Sequence, residues 1–250
     1  MAKQAIVRPP GNSYRNCISA HRDHNKLDIR KALEQHAKYV DTLKDLGLDV
    51  IELSPEDELP DACFVEDTVV IHGNRALMTR PTHESRRGEI EGVEDALWDY
   101  FQLSKVVEPA TLEGGDVIHI EDKLVSGETQ RTNSEGIQYM RDALQVQVDV
   151  VSDANIVHLK SYVTYLDKKT LVGISRYVNH PAFDGLEFIV IPDDELYASN
   201  TLTIHGTVII PDGYPETAKL IEASGYDVIK LPTSEFARCE GALTCLSIIF

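Results

Sequence analysis

Four times in this chain an apolar run, a short polar turn and a second apolar run follow one another, and a fifth copy stops at the last residue. The stretches are "TVVIHGNRALMTRP" from Thr68, "DVIHIEDKLVSGET" from Asp116, "YVTYLDKKTLVGIS" from Tyr162, "TLTIHGTVIIPDGY" from Thr201 and "CLSIIF" from Cys245. Runs of this kind read as β-hairpins. Their starting points lie 39 to 48 residues apart, and a persistent period marks a fold built from repeated units.

The segment after each hairpin also repeats in kind. After the first, Ile90, Val93, Ala96, Leu97, Tyr100 and Phe101 fall at helical spacing. After the second, Asn133 stands where a helix N-cap belongs, and Ile137, Met140 and Leu144 line one face. After the fourth, "YPETAKLIEASGYDVIKL" reads as a helix ended near Gly225 and then a strand. The third unit, "NHPAFDGLEFIVI", has weaker periodicity and predicts a short or irregular helix.

The N-terminal "QAIVRPPG" reads as the second strand of a hairpin, followed by the helix "KLDIRKALEQHAKYVDTLKDLG" and the strand "DVIEL". The half missing from the fifth repeat therefore stands at the start of the chain. Pairing "CLSIIF" with "AIVRP" closes a ring and leaves no open sheet edge at the junction. An open alternating α/β sheet is the competing arrangement.

The chain has 250 residues, 42% of them hydrophobic, enough for a substantial core. No stretch approaches the roughly 18 apolar residues of a membrane span. "MAKQAIVRPPG" lacks the apolar core of a secretory signal. The four cysteines (Cys17, Cys63, Cys239, Cys245) form neither a close metal-binding pair nor a disulfide framework. A cytoplasmic location with reduced thiols is the expectation. The formal net charge of -17 repels phosphate backbones and anionic membranes and favours a small cationic ligand.

In a radial repeat, the starts of the five first strands meet near the axis. Those positions carry Glu66 and Asp67, Glu113, His158, Asn200 and Cys245. Burying carboxylates in such apolar strands costs several kcal/mol, roughly, unless a cation pairs with them. A thiol, an imidazole and an orienting carboxylate are the equipment of covalent catalysis at an electrophilic carbon. Further carboxylates facing that centre call for a cationic electrophile, and a planar guanidinium suits them. Arg86 and Arg131 suit the carboxylate of an amino acid, and Asp61 its ammonium group.

The segments "LPDACFVED", "TRPTHESRRGE", "LEGGDV", "RTNSEG", "HLKS" and "EGALTCLS" closely resemble, in order along the whole chain, the dimethylarginine dimethylaminohydrolase family of guanidino-modifying (pentein) proteins. The resemblance implies an α/β fold, a five-bladed pseudo-fivefold α/β propeller (pentein) of ββαβ units. It implies one catalytic domain over residues 1–250, as a monomer or homodimer, with no metal or cofactor. The implied activity is hydrolysis of Nω-methylated arginines to citrulline and methylamines. Cys245 matches the nucleophile, His158 the acid/base, and Glu113 the residue that holds the imidazole. Glu66 and Asp67 match contacts to the guanidino nitrogens, with Phe64 lining the pocket. Asp61, Arg86 and Arg131 match the amino-acid end, completed by main-chain groups near Cys17 and Cys239, where the family usually carries aliphatic residues.

Arginine deiminase shares the fold and the thiol chemistry, but carries an acid where this chain has Lys160 in "HLK". A binding propeller without catalysis would have no use for Cys245, His158 and Glu113 together. A structural zinc site finds poor support in isolated Cys and His residues. The polar loop "SAHRDHNKLD" at 19–28 is a candidate cover for the pocket.

Overall fold

The computed structural model describes residues 3–250. In chain order the elements are β1 (Gln4–Val7), α1 (Ile29–Asp45), β2 (Asp49–Glu52), β3 (Val69–His72), β4 (Arg75–Met78), α2 (Glu91–Leu97), β5 (Gln102–Lys105), β6 (Val117–Ile120), β7 (Lys123–Glu128), α3 (Ser134–Leu144) and β8 (Val148–Ser152). They continue with β9 (Val163–Tyr165), β10 (Thr170–Gly173), β11 (Glu187–Val190), β12 (Leu202–Ile204), β13 (Thr207–Pro211), α4 (Pro215–Ala223), β14 (Asp227–Leu231), α5 (Ser234–Ala237) and β15 (Ile248–Ile249).

The strands form five three-stranded sheets, each with its first strand antiparallel to the second and its second parallel to the third. The parallel pair requires a crossover, which an α-helix supplies in every unit but the third. Two-residue turns make three of the hairpins tight, and four residues join β9 to β10. Between β12 and β13, His205 and Gly206 both have positive φ (50° and 87°), the twist that a type I′ turn demands.

The ring closes where the repeat pattern requires. β15 pairs antiparallel with β1, Ala5 opposite Ile249 and Ile6 opposite Ile248. Residues of all five first strands (β3, β6, β9, β12 and β15) line one central cavity of about 460 Å³. The third strands lie outward, with exposed residues in each of them.

The helices bury the faces that their spacing marks out. Asn133 caps α3 through a 2.8 Å bond from the Gly136 amide, and Ile137, Met140 and Leu144 are buried against Leu77, Val117 and Leu124 of the neighbouring strands. Asp28 caps α1 by accepting from Arg30 and Lys31, a contact worth about 1 kcal/mol. After α4, Gly225 takes φ 89° and releases the chain into β14.

Two segments depart from the simple helical reading. Residues Glu84–Ile90 form 3-10 turns, and α2 is only Glu91–Leu97. Three residues per turn brings Arg86 and Glu89 onto one side, where they form a buried ion pair. In the third unit, two 3-10 turns (Ser175–Tyr177 and Pro181–Phe183) replace the helix. Pro181 removes a backbone donor, and the buried Tyr177 and Phe183 fill the space instead.

Candidate active site

A single 3-10 turn precedes the first strand in four of the five blades and places a polar residue at its edge. Glu66 and Asp67 lie in Val65–Thr68 before β3; Glu113 precedes Gly114–Asp116 before β6; His158 precedes Leu159–Ser161 before β9; Cys245 lies in Thr244–Leu246 before β15. Asn200 follows the longer segment Asp193–Ser199 before β12. One local grammar, repeated around a ring, gathers side chains from positions as far apart as 66 and 245.

A cavity of about 270 Å³ is lined by Asp61, Phe64, Asp67, Arg86, Arg131, His158, Cys239 and Cys245, with Ile18, Tyr162, Glu240 and Gly241 among the rest. His158 Nε2 meets Glu113 Oε2 at 2.8 Å, and Asp67 Oδ1 is 3.7 Å from the same nitrogen. Asp67 in turn accepts from the Gly115 amide (2.8 Å) and Arg86 Nη1 (3.0 Å). Glycine is required at 115: a Cβ there would stand 2.7 Å from His158 Nδ1 and 2.8 Å from Asp67 Oδ1. Gly241 is required for the same reason, since a Cβ would stand 2.2 Å from the Phe64 ring.

The charges set the protonation states. Burial alone would lower the His158 pKa, but Asp67 and Glu113 outweigh it and raise it to about 9. His158 is an imidazolium at neutral pH. Asp67 is held at about 2: burial pushes it up, and His158 and Arg86 overcome that push. Glu113 is likewise lowered; burial opposes this, and the hydrogen bond to His158 prevails. The Cys245 thiol is raised to about 12, first by burial and then by Glu66 and Asp67. Burial also raises Asp61.

Several expected residues take unexpected partners. Glu66 is not among the residues lining this cavity. It accepts from Lys160 Nζ and from Thr244 Oγ1 (2.7 Å), and it lines the central cavity with both of them. Arg86 lines the site, yet its Nε and Nη2 donate to Glu89 and its Nη1 to Asp67. Arg131 differs: its Nη1 is buried and has no hydrogen-bond partner, with Glu113 Oε1 at 3.7 Å. Asp61 accepts the Ile18 amide on both oxygens at 3.2 Å.

The loop at 19–28 is fastened over the rim. Ser19 Oγ donates to the Arg238 carbonyl (2.8 Å), and the Ala20 amide donates to Glu240 Oε2 (3.0 Å). The expectation of four reduced thiols needs correction. Cys17 and Cys239, 222 residues apart, are joined in a disulfide, leaving Cys63 and Cys245 free. Their separation in sequence hides the pairing, because ring closure alone brings the first blade beside the last.

Sequence reasoning passed over three residues that build the site. Glu89 neutralises Arg86. Asp116 is buried and accepts from the Leu159 amide (2.9 Å) and Thr129 Oγ1 (2.8 Å), fixing the turn that carries His158. Thr244 is locked between Asn200 and Glu66. The signal for Asp116 was available: it is an acid directly preceding an apolar strand.

Comparison with known proteins decides the family. Residues 8–172 match the family model described as N,N dimethylarginine dimethylhydrolase, eukaryotic. A protein of Pseudomonas aeruginosa named N(G),N(G)-dimethylarginine dimethylaminohydrolase is 36% identical over 100% of both chains. The chain belongs to the dimethylarginine dimethylaminohydrolase family. A protein of the same name from Streptomyces coelicolor is 35% identical, covering 99% of this chain and 96% of its own. Among solved structures, a mutant of the Pseudomonas aeruginosa family member complexed with citrulline superposes with a TM-score of 0.96 at 35% identity, over 100% of both chains. The N-terminal domain of a cyanobacterial arginine dihydrolase, at 19% identity and TM-score 0.89 over 100% of this chain and 97% of that one, shares the fold. The five-bladed arrangement is thus that of the dimethylarginine dimethylaminohydrolases. Among the described residues, no helix is long and apolar enough to cross a membrane.

Proposed function

We propose that this chain, as one catalytic domain over residues 1–250, hydrolyses Nω,Nω-dimethyl-L-arginine and Nω-methyl-L-arginine to L-citrulline and dimethylamine or methylamine. One observation carries the reading. A single small cavity holds the Cys245 thiol, the His158 imidazolium and the Asp67 carboxylate, in a chain whose relatives bear that activity in their names. Free dimethylarginine in the cytoplasm is the substrate that this reading implies; nucleic acid and membrane play no part in it.

The substrate brings the positive charge that the site lacks. Asp67 faces the guanidinium, and the Phe64 ring packs against it. Arg131, whose Nη1 has no hydrogen-bond partner, takes the α-carboxylate, and Asp61 takes the α-ammonium. The Ile18 amide, next to Cys17, and the main chain around Cys239 complete that end. Arg86 acts through Asp67, holding it ionised, and Glu66 acts through Thr244, which adjoins the nucleophile.

A thiol raised to about 12 ionises when a cation arrives, releasing its proton to solvent, because the guanidinium cancels the carboxylate field that opposed it. The Cys245 thiolate attacks the guanidinium carbon. The C–N bond to dimethylamine breaks as His158 passes its proton to the leaving nitrogen. A thiouronium remains on Cys245. Neutral His158 then takes a proton from water, and the hydroxide adds to the same carbon. The C–S bond breaks as the hydroxyl proton passes to the departing sulfur, releasing citrulline and the Cys245 thiol. Glu113 keeps the imidazole oriented through both steps.

The deciding experiment is citrulline release from dimethylarginine and from arginine, with Cys245→Ser alongside. Turnover of the methylated substrate that disappears in the serine variant is expected. Equal or faster turnover of arginine would make the chain a deiminase, and undiminished activity of the variant would remove the covalent route.

A further inference from the structure

The Cys17 and Cys239 side chains have no part in the hydrolysis scheme, which uses only the main chain beside them. Both are buried, 4% and 3% exposed, and their Cα atoms lie 5.9 Å apart. His24, half-buried in the middle of the rim loop, places Nε2 3.3 Å from Cys17 Sγ. The three donor atoms all lie within 4.8 Å of one another. Two sulfurs and one imidazole are a donor set selective for zinc-class cations over magnesium or calcium.

We propose that Cys17, Cys239 and His24, once the disulfide is reduced, form a binding site for a zinc-class divalent cation. A dithiol or phosphine reductant supplies two electrons; the S–S bond breaks, two thiols form with two protons, and the reductant is oxidised. The cation displaces both thiol protons and binds the two sulfurs and Nε2. Zinc–sulfur bonds of about 2.3 Å and zinc–nitrogen bonds of about 2.0 Å place tetrahedral donors roughly 3.5 Å apart. The sulfur–imidazole separation of 3.3 Å already approaches this, so rotation about the two Cys side chains supplies the rest. Two thiolates cancel the cation's charge and His24 adds none, which lets a buried site form without an unpaired charge. A fourth position is left for water.

Disulfide and metal exclude one another, since the oxidised pair offers no thiolate. Each fastens the segment beginning at Cys17 to the turn at Cys239, and Ile18 and Glu240 on those segments line the pocket rim. The site therefore exchanges a covalent fastening of the rim for a coordinate one as the surroundings become reducing.

Cobalt(II) titration of the full chain tests this. The background carries Cys245→Ser, so that the pocket thiol contributes no ligand, while Cys63 is only 2% exposed. After reduction and removal of the reductant, one equivalent of cobalt is expected to give thiolate-to-metal charge-transfer absorption and tetrahedral d–d bands, both abolished by zinc. The oxidised protein is expected to give neither. Adding Cys17→Ser or Cys239→Ser is expected to weaken binding at least ~100-fold, and His24→Gln about 10- to 100-fold. Because His24 is half-buried on a loop, its variant retains the fold even if a cysteine variant does not, as circular dichroism would report. Absence of thiolate charge transfer in the reduced protein would overturn the site, as would an unchanged cobalt spectrum in the Cys17 or His24 variants.

Discussion

Glu113 accepts a hydrogen bond from His158 Nε2 at 2.8 Å, while Asp67 stands 3.7 Å from the same nitrogen. The two carboxylates hold the imidazole protonated in a site where burial alone would discharge it. His158 has a pKa of about 9, above the ordinary 6.5. Its charge thus stabilises the fold fully below about pH 6.5, and that contribution is lost as pH rises through about 9. Glu113→Gln removes one of the two carboxylates. The NMR titration midpoint of His158 is expected to fall by at least about one unit, and kcat by roughly 100-fold. A midpoint still near 9 would show that Asp67 alone sets the charge.

Cys245 should behave as a thiol in the free protein and as a thiolate only with a cation beside it. At neutral pH the substrate-free chain is expected to lack thiolate absorbance in the ultraviolet. Its alkylation rate should still be climbing with pH above 9, toward the midpoint of about 12. A saturating guanidinium ligand should bring that climb to lower pH. Full thiolate absorbance without ligand would contradict the electrostatic picture.

Lys160 and Glu66 are a largely buried pair from two blades, their side chains 12% and 15% exposed. Lys160→Met leaves the largely buried Glu66 without its cation and should destabilise the fold by about 2–4 kcal/mol, somewhat under the loss at a fully buried pair. Adding Glu66→Gln should return most of that loss, because the amide oxygen still accepts from Thr244 and no charge remains. Denaturant unfolding of the single and double variants measures both. A double variant as unstable as the single would assign the cost to packing.

Gly115→Ala tests how closely the backbone must approach the imidazole. The new methyl group would collide with His158 and Asp67, both side chains of the site. The expected outcome is a fall in kcat of at least about 100-fold, since a displacement near 1 Å is enough for that. The His158 midpoint should shift as its distance from Asp67 changes. An alanine variant with native kinetics would mean that the site relaxes freely.

Ile248 pairs with Ile6 in the blade that joins the two chain ends, and lies in the same buried cluster as Met78, at 6% exposure. Ile248→Ala should cost about 2–4 kcal/mol and lower Tm by roughly 4–16 °C for a chain of this size. Thermal unfolding checks it, and an unchanged Tm would show that closure contributes little.

The ring was legible because it is periodic. Hairpins at Thr68, Asp116, Tyr162 and Thr201 and the half-repeats at both ends can be read from residue order alone, as can the gathering of Asp67, Glu113, His158 and Cys245 around the axis. The α3 cap at Asn133 and its buried face were equally plain, since both depend on residues within a few turns of one another. The short α2 was harder to see, because the Arg86–Glu89 pair that favours 3-10 geometry there depends on Asp67 from another blade.

Hydrophobic period and residue type thus determined the blades, their order and the kinds of group that meet at the centre. Only the closed ring decided which partner each group takes: Glu66 with Lys160, Arg86 with Glu89 and Asp67, Cys17 with Cys239 and His24. The same closure set the His158 and Cys245 protonation states, since each depends on carboxylates carried by other blades. Local spacing encodes which way a side chain faces. Pair distances across a ring are fixed only when every blade has been packed.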